Sequence, residues 1–212
     1  MFPTRCRAIT KETQMEQDKV NKSTTDLIDA VRDIFAAEVA KDTTGAAQLK
    51  RVLDHLPELR LNPERSAAAQ QPVCRLLSRA LDLGEAGPAA AAANALRQLE
   101  PTLSWAQSTR HNVENRGEHF LDNYAYSGLG LTGSTVLDFG VMLLGPGITY
   151  PLTSYPSEGV FLVIGGSPEW KSGDEPWRRV DAGSIICRPA GGAEGKRPGN
   201  EPMLAVYAWL DQ

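Results

Sequence analysis

The stretch GITYPLTSYPSEGVFLVIGG, residues 147–166, decides the fold. It follows a Gly145-Pro146 pair, carries prolines at 151 and 156, and runs into the wholly apolar segment Val160–Ile164 before two glycines. Short apolar runs bounded by Gly and Pro are strands, not helices. Strand side chains alternate between faces, so Thr153, Tyr155, Gly159 and Phe161, all at odd positions, share one face wherever the chain stays extended. Glu158 falls on the opposite face, and turning it inward would invert the rest of the strand. Gly145-Pro146-Gly147 is read as a turn, because no helix and no Lys-Ser/Thr pair follow it as in a phosphate loop.

The same signal continues on both sides. Candidate strands after Trp105 are Asn123–Tyr126, Val136–Leu144, Val160–Ile164, Trp177–Val180, Ser184–Arg188 and Met203–Leu210, with Lys171–Asp174 as a hairpin connection. Many short strands with regular turns make a sandwich or a barrel. The stretch Ala190–Gly199 reads as a connection rich in glycine and proline. Trp170, Trp177 and Trp209 are expected to fill the barrel or cover its mouth.

Ahead of Trp105 the period changes to that of helices. Leu27, Val31, Ile34, Phe35 and Val39 line one helix face, and Ser23 with Asp26 has the form of a capping box. Further helices are expected over Ala46–His55, Pro72–Leu83 and Pro88–Leu99, with Gly84 at a helix end and Pro88 in a first turn. The run Ala89–Ala93 is explained by helix propensity alone. Residues 1–22 have early positive charge but no apolar stretch behind it, and read as a mobile polar tail.

Composition excludes several classes of function. The 212 residues are 42% hydrophobic with a net charge of −4, and the basic residues are interspersed with acidic ones, so no phosphate-binding stripe forms. Nucleic acid and membrane partners are not expected, as no segment reaches eighteen apolar residues. The three cysteines, Cys6, Cys74 and Cys187, are too far apart for a thiolate zinc site or a disulfide framework, which suits a reducing, cytoplasmic setting. His111 and His119 stand eight residues apart with Glu114 and Glu118 nearby, wider than local zinc motifs use, and read as a polar connector. His55 is assigned to a solvated helix face.

The spacing of residues 147–166 resembles the first conserved pattern of cupin barrels, G-x5-H-x-H-x3-E-x6-G, laid without gaps on Gly147, Thr153, Tyr155, Gly159 and Gly166. The second pattern, G-x5-P-x-G-x2-H-x3-N, falls on Gly183, Pro189, Gly191, Glu194 and Pro198. Within that superfamily the chain resembles the bacterial cupin-type dimethylsulfoniopropionate (DMSP) lyases. The residues that carry the likeness are Asp122–Tyr126, Leu144–Gly147 leading to Tyr150-Pro151, Pro156–Glu158, Gly173–Trp177 and Glu201–Trp209. The resemblance implies an α+β fold, with a helical region over 23–110 followed by a cupin (double-stranded β-helix) barrel over 111–212. It also implies a divalent metal (Zn, Fe or Mn), held by two histidines, a glutamate and a third histidine, and a tyrosine base that removes the proton alpha to the carboxylate.

Carried over residue by residue, the ligand positions are Thr153, Tyr155, Gly159 and Glu194, and the base position is Phe161. Only Tyr150, matching a second pocket tyrosine, is kept in kind. A hydroxyl, a phenol, a bare glycine and one carboxylate do not supply the imidazole and carboxylate donors that such a metal takes at about 2.0–2.3 Å. A phenyl ring accepts no proton. The leading expectation is therefore a barrel that binds a small molecule with no metal or other cofactor. One alternative is an active lyase with a relocated metal site drawn from Glu158, Glu194, His111 or His119. Another is a metal-independent isomerase or epimerase using Tyr150, Tyr155 and Glu194 as acid/base groups. A homodimer is suggested by analogy with other cupins.

Overall fold

A computed structural model describes residues 11–211. Helices α1 (Lys11–Val39), α2 (Ala46–His55), α3 (Leu77–Glu85) and α4 (Ala90–Leu99) come first, with a short strand β1 (Arg60–Leu61) between α2 and α3. One-turn helices α5 (Val113–Arg116) and α6 (Glu118–Leu121) lead into β2 (Tyr124–Ser127), β3 (Leu131–Thr132), β4 (Leu137–Leu144), β5 (Tyr150–Ser154) and β6 (Glu158–Gly165). The chain ends in β7 (Glu169–Ser172), β8 (Arg178–Arg179), β9 (Ile185–Arg188), β10 (Ala193–Arg197) and β11 (Met203–Leu210).

The strands form a five-stranded sheet, ordered β2-β4-β11-β6-β9, and a four-stranded sheet, ordered β5-β10-β7-β8; β1 pairs with β3 apart from both. All these pairings are antiparallel. The two larger sheets close on each other, as shown by Phe161 of β6 and Trp170 of β7, whose ring centroids lie 5.1 Å apart.

The five-stranded sheet is buried on both faces, which explains why its strands read as unbroken apolar runs. Phe139, Val141, Leu143, Val160, Leu162, Ile164, Leu204, Val206 and Ala208 point outward into a core shared with the helices. Met142, Leu144, Phe161, Val163, Met203, Ala205 and Tyr207 point into the barrel. Small residues let the helical layer come close. A Cβ on Gly165 would stand 2.1 Å from the Ala80 carbonyl oxygen, and one on Gly84 would stand 2.9 Å from both Ala93 Cβ and Ile164 Cγ2. The alanine run of α4 thus does more than favour a helix: Ala89, Ala92 and Ala93 are fully buried.

Three expectations are corrected. Residues 11–22, read as part of a tail, belong to α1, and Val20 is already buried there. Their polar sequence hid the helix because its support comes from side-chain pairs four residues apart, Gln14 with Asp18, Gln17 with Asn21 and Lys22 with Asp26. Residues 1–10 of the expected tail lie outside the described residues. Ser23 consequently sits in mid-helix rather than at a cap, beside Thr24, whose hydroxyl donates to the Val20 carbonyl at 2.8 Å. Finally, the stretch Ala190–Gly199 is no mere connection, since β10 runs through it between β5 and β7. Its alternation was disguised because the residues facing the interior are Glu194 and Lys196.

Candidate functional site

Cross-strand partners share a face, so the registers build the barrel interior layer by layer. At one end Trp209 of β11 lies opposite Asp138 and Gly159, and Gly159 lies opposite Arg188. Next come Tyr207, Gly140, Phe161 and Ile186. From the other sheet, Thr153 lies opposite Glu194 and Tyr150 opposite Lys196, with a register shift between the two pairs. That irregularity brings Tyr150 and Thr153 to the same face although their numbers differ in parity.

The interior holds three charged side chains that sequence reasoning had not brought together. The Lys196 ammonium lies 3.0 Å from Glu194 Oε1, and Arg188 Nε lies 3.4 Å from the same oxygen without hydrogen-bond alignment; all three side chains are at most 3% exposed. Lys196 Nζ also faces three rings, 4.3 Å from the Phe161 centroid, 4.5 Å from Trp170 and 5.2 Å from Tyr150. Burial pulls this ammonium below the ordinary lysine value and Arg188 pulls the same way, while Glu194 opposes both. The carboxylate and the ring faces together favour the charged form.

Arg188 fills the space that Gly159 leaves. A Cβ on Gly159 would meet Arg188 Nη2 at 2.9 Å. Nη1 donates to the carbonyls of Ser157 at 2.8 Å and Pro189 at 3.2 Å, and the guanidinium lies over the Tyr155 ring at 5.1 Å. This anchoring fixes the guanidinium beside Gly159.

A second network lies beside the first. The Tyr150 and Tyr155 hydroxyls are 3.0 Å apart, and His111 Nε2 lies 3.2 Å from Tyr150 Oη. Arg116 Nε donates to His111 Nδ1 at 3.3 Å, so the ring proton sits on Nε2 and points at Tyr150. Burial raises the Tyr124, Tyr150 and Tyr207 phenols well above the ordinary tyrosine range, so they act as neutral hydrogen-bonding groups. Glu194 is occupied by Lys196 and Arg188, while the Tyr150 phenol bonds to Tyr155 and to His111.

His111, read as part of a connector, is thus a site residue, packed edge-on against Phe120, Tyr124 and Tyr150. Desolvation lowers its pKa from 6.5, and Arg116 and Arg110 add to the effect. The folded protein therefore holds fewer protons than the unfolded chain just below pH 6.5, and stability falls as pH drops through that window. His111→Gln is expected to flatten this loss, read by urea unfolding at about pH 7.5 and about pH 5.5. An unchanged difference between the two pH values would remove His111 from the account.

The remaining candidates are scattered. Glu158 pairs with Arg51 of α2, on the helical side of the sheet. His119 is exposed and contacts Asn123, and His55 pairs with Glu58 at 3.0 Å. Among the described residues no group of three or more His, Cys, Asp and Glu gathers as a metal site. Burial raises the Cys187 thiol to about 11; its sulfur faces the Gly45 carbonyl, away from the barrel interior. Trp170 is fully buried in the barrel, Trp177 lies under Arg197, and Trp209 stacks on Tyr207 at 4.1 Å. No helix among the described residues is long and apolar enough to cross a membrane.

Comparison with known proteins agrees with this architecture. The structure superposes with a TM-score of 0.73 on a chain solved in work on the DMSP lyases RdDddP and RnDddQII, covering 91% of this chain and 94% of that one at 20% identity. The DMSP lyase DddQ from Ruegeria pomeroyi DSS-3 gives a TM-score of 0.59 at 21% identity, covering 85% and 92%. These likenesses establish the fold, helices followed by a cupin barrel. In sequence, the DddQ lyase of Ruegeria pomeroyi is 28% identical over 97 residues, which span 44% of this chain and 48% of that relative. The DMSP lyase family model matches residues 13–205. With nearly the whole length matched and the expected barrel in place, the chain belongs to the dimethylsulfoniopropionate lyase family.

Proposed function

We propose that this member of the family binds a small molecule in its barrel without metal-dependent lyase chemistry. The observation that carries the reading is the Lys196 ammonium held 3.0 Å from Glu194, the one carboxylate at a family ligand position. A divalent cation would have to share that carboxylate with a lysine and an arginine. Its other donors would be the hydroxyl of Thr153 and the phenol of Tyr155, since Gly159 offers no side chain. This set does not fit Zn, Fe or Mn. In metal-assisted proton abstraction the ion stabilises charge developing on the substrate, a contribution worth several kcal/mol, and a separate base takes the proton. Phe161 at the base position takes none.

The isomerase or epimerase reading has less support. Tyr150 and Tyr155 do meet, but the phenol of Tyr150 is held neutral by burial and Glu194 is committed to two cations. Protein prepared without chelators is expected to carry far less than one equivalent of transition metal. It is also expected to release no dimethyl sulfide from DMSP above a buffer control, with or without added Fe, Mn or Zn. Metal-stimulated release that disappears in Glu194→Gln would sink the proposal.

A further inference from the structure

Five buried side-chain polar atoms among the described residues have no hydrogen-bond partner, and four of them line the barrel interior: Arg188 Nε, Arg188 Nη2, Glu194 Oε2 and Trp170 Nε1. The fifth belongs to Trp105, in the core between helices and sheet. A buried donor or acceptor left unmade is costly, so these four define what a ligand must supply. Arg188 Nε and Nη2 form one edge of a guanidinium fork, the geometry that takes both oxygens of a carboxylate. Glu194 Oε2 needs a donor, and Trp170 Nε1 needs an acceptor. Charge points the same way. Two basic side chains, Arg188 and Lys196, share the single carboxylate of Glu194 in a nearly dry interior, an arrangement that an added anion suits. The three ring faces that would attract a ligand's cation are already taken by Lys196.

We propose that the barrel is a site for a small hydroxycarboxylate, its carboxylate on the Arg188 fork and its hydroxyl donated to Glu194 Oε2. Lys196 then supplies, as part of the chain, the fixed positive charge that a metal supplies elsewhere in the family. This rests on the metal-free reading above. Selectivity follows from the pairing: a ligand lacking the hydroxyl leaves Glu194 Oε2 unmet, and one lacking the charge leaves the fork unmet.

Calorimetric titration with lactate, propionate and lactamide, on protein assayed for bound metal, tests the idea. Lactate is expected to bind best, propionate about tenfold more weakly, and lactamide more weakly still. Arg188→Lys keeps the charge but loses the fork, and is expected to lower lactate affinity about tenfold or more; circular dichroism and a second variant, Arg188→Gln, guard against misfolding. Lactamide binding as well as lactate, Arg188→Lys binding as well as the parent, or no lactate binding up to about 10 mM overturns the proposal. Metal content separates the two failures. Metal-free protein that ignores lactate refutes only the hydroxycarboxylate site, whereas a stoichiometric transition metal refutes the reading beneath it.

Discussion

Glu194→Gln is expected to destabilise the folded protein by about 3–5 kcal/mol, because it leaves two buried cations with no carboxylate between them. The side chain is isosteric, so packing is preserved and the loss reports on charge. Lys196→Met should cost less, since Arg188 still faces Glu194 at 3.4 Å and the thioether can lie among Phe161, Trp170 and Tyr150. Combining the two should not double the damage. Once Glu194 is neutral, removing Lys196 eliminates an unpaired buried charge, and the double variant is expected to be more stable than Glu194→Gln alone. Equilibrium unfolding in guanidinium chloride measures all three. A cost below about 1 kcal/mol for Glu194→Gln would mean that water reaches the triad and that its charges are screened.

The second large effect concerns the metal. Restoring the family pattern with Thr153→His, Tyr155→His, Gly159→Glu and Glu194→His is expected not to restore metal binding while Arg188 and Lys196 remain. The new carboxylate at 159 stands against Arg188 Nη2 and is claimed by that guanidinium, and a divalent ion would share the interior with two fixed cations. Repulsion between charges at such separations in a poorly solvated interior amounts to several kcal/mol. Replacing Arg188 and Lys196 as well by apolar residues should allow uptake of about one equivalent of zinc, read by elemental analysis. Equal uptake with and without those two cations would show that Arg188 and Lys196 do not oppose a metal there.

Much of the architecture was legible because its causes are local. Helix α2 begins and ends at Ala46 and His55, as its apolar spacing indicates, and β11 spans Met203–Leu210, a run of apolar residues that admits little else. The first half of α1 was missed, since a helix supported by polar side-chain pairs at its surface carries no apolar period to read. Strand β10 was missed for the opposite reason, its inward positions being charged where a strand's inward positions are ordinarily apolar.

The site divides in the same way. The positions of Thr153, Tyr155, Gly159, Phe161 and Glu194 followed from spacing, and Glu158 could be set on the far face from parity alone. Lys196 and Glu194 stand two apart and so share a face of β10, but the rest of the surroundings could not be found so: Lys196 also meets rings from β5, β6 and β7, and His111 meets a tyrosine 39 residues away. The sequence by itself determined the barrel and the residue types along its inward strands, both being matters of local pattern. Only the tertiary structure decided which charges meet inside it, because burial and pairing of charges depend on which strands close upon each other, a property that no single segment contains.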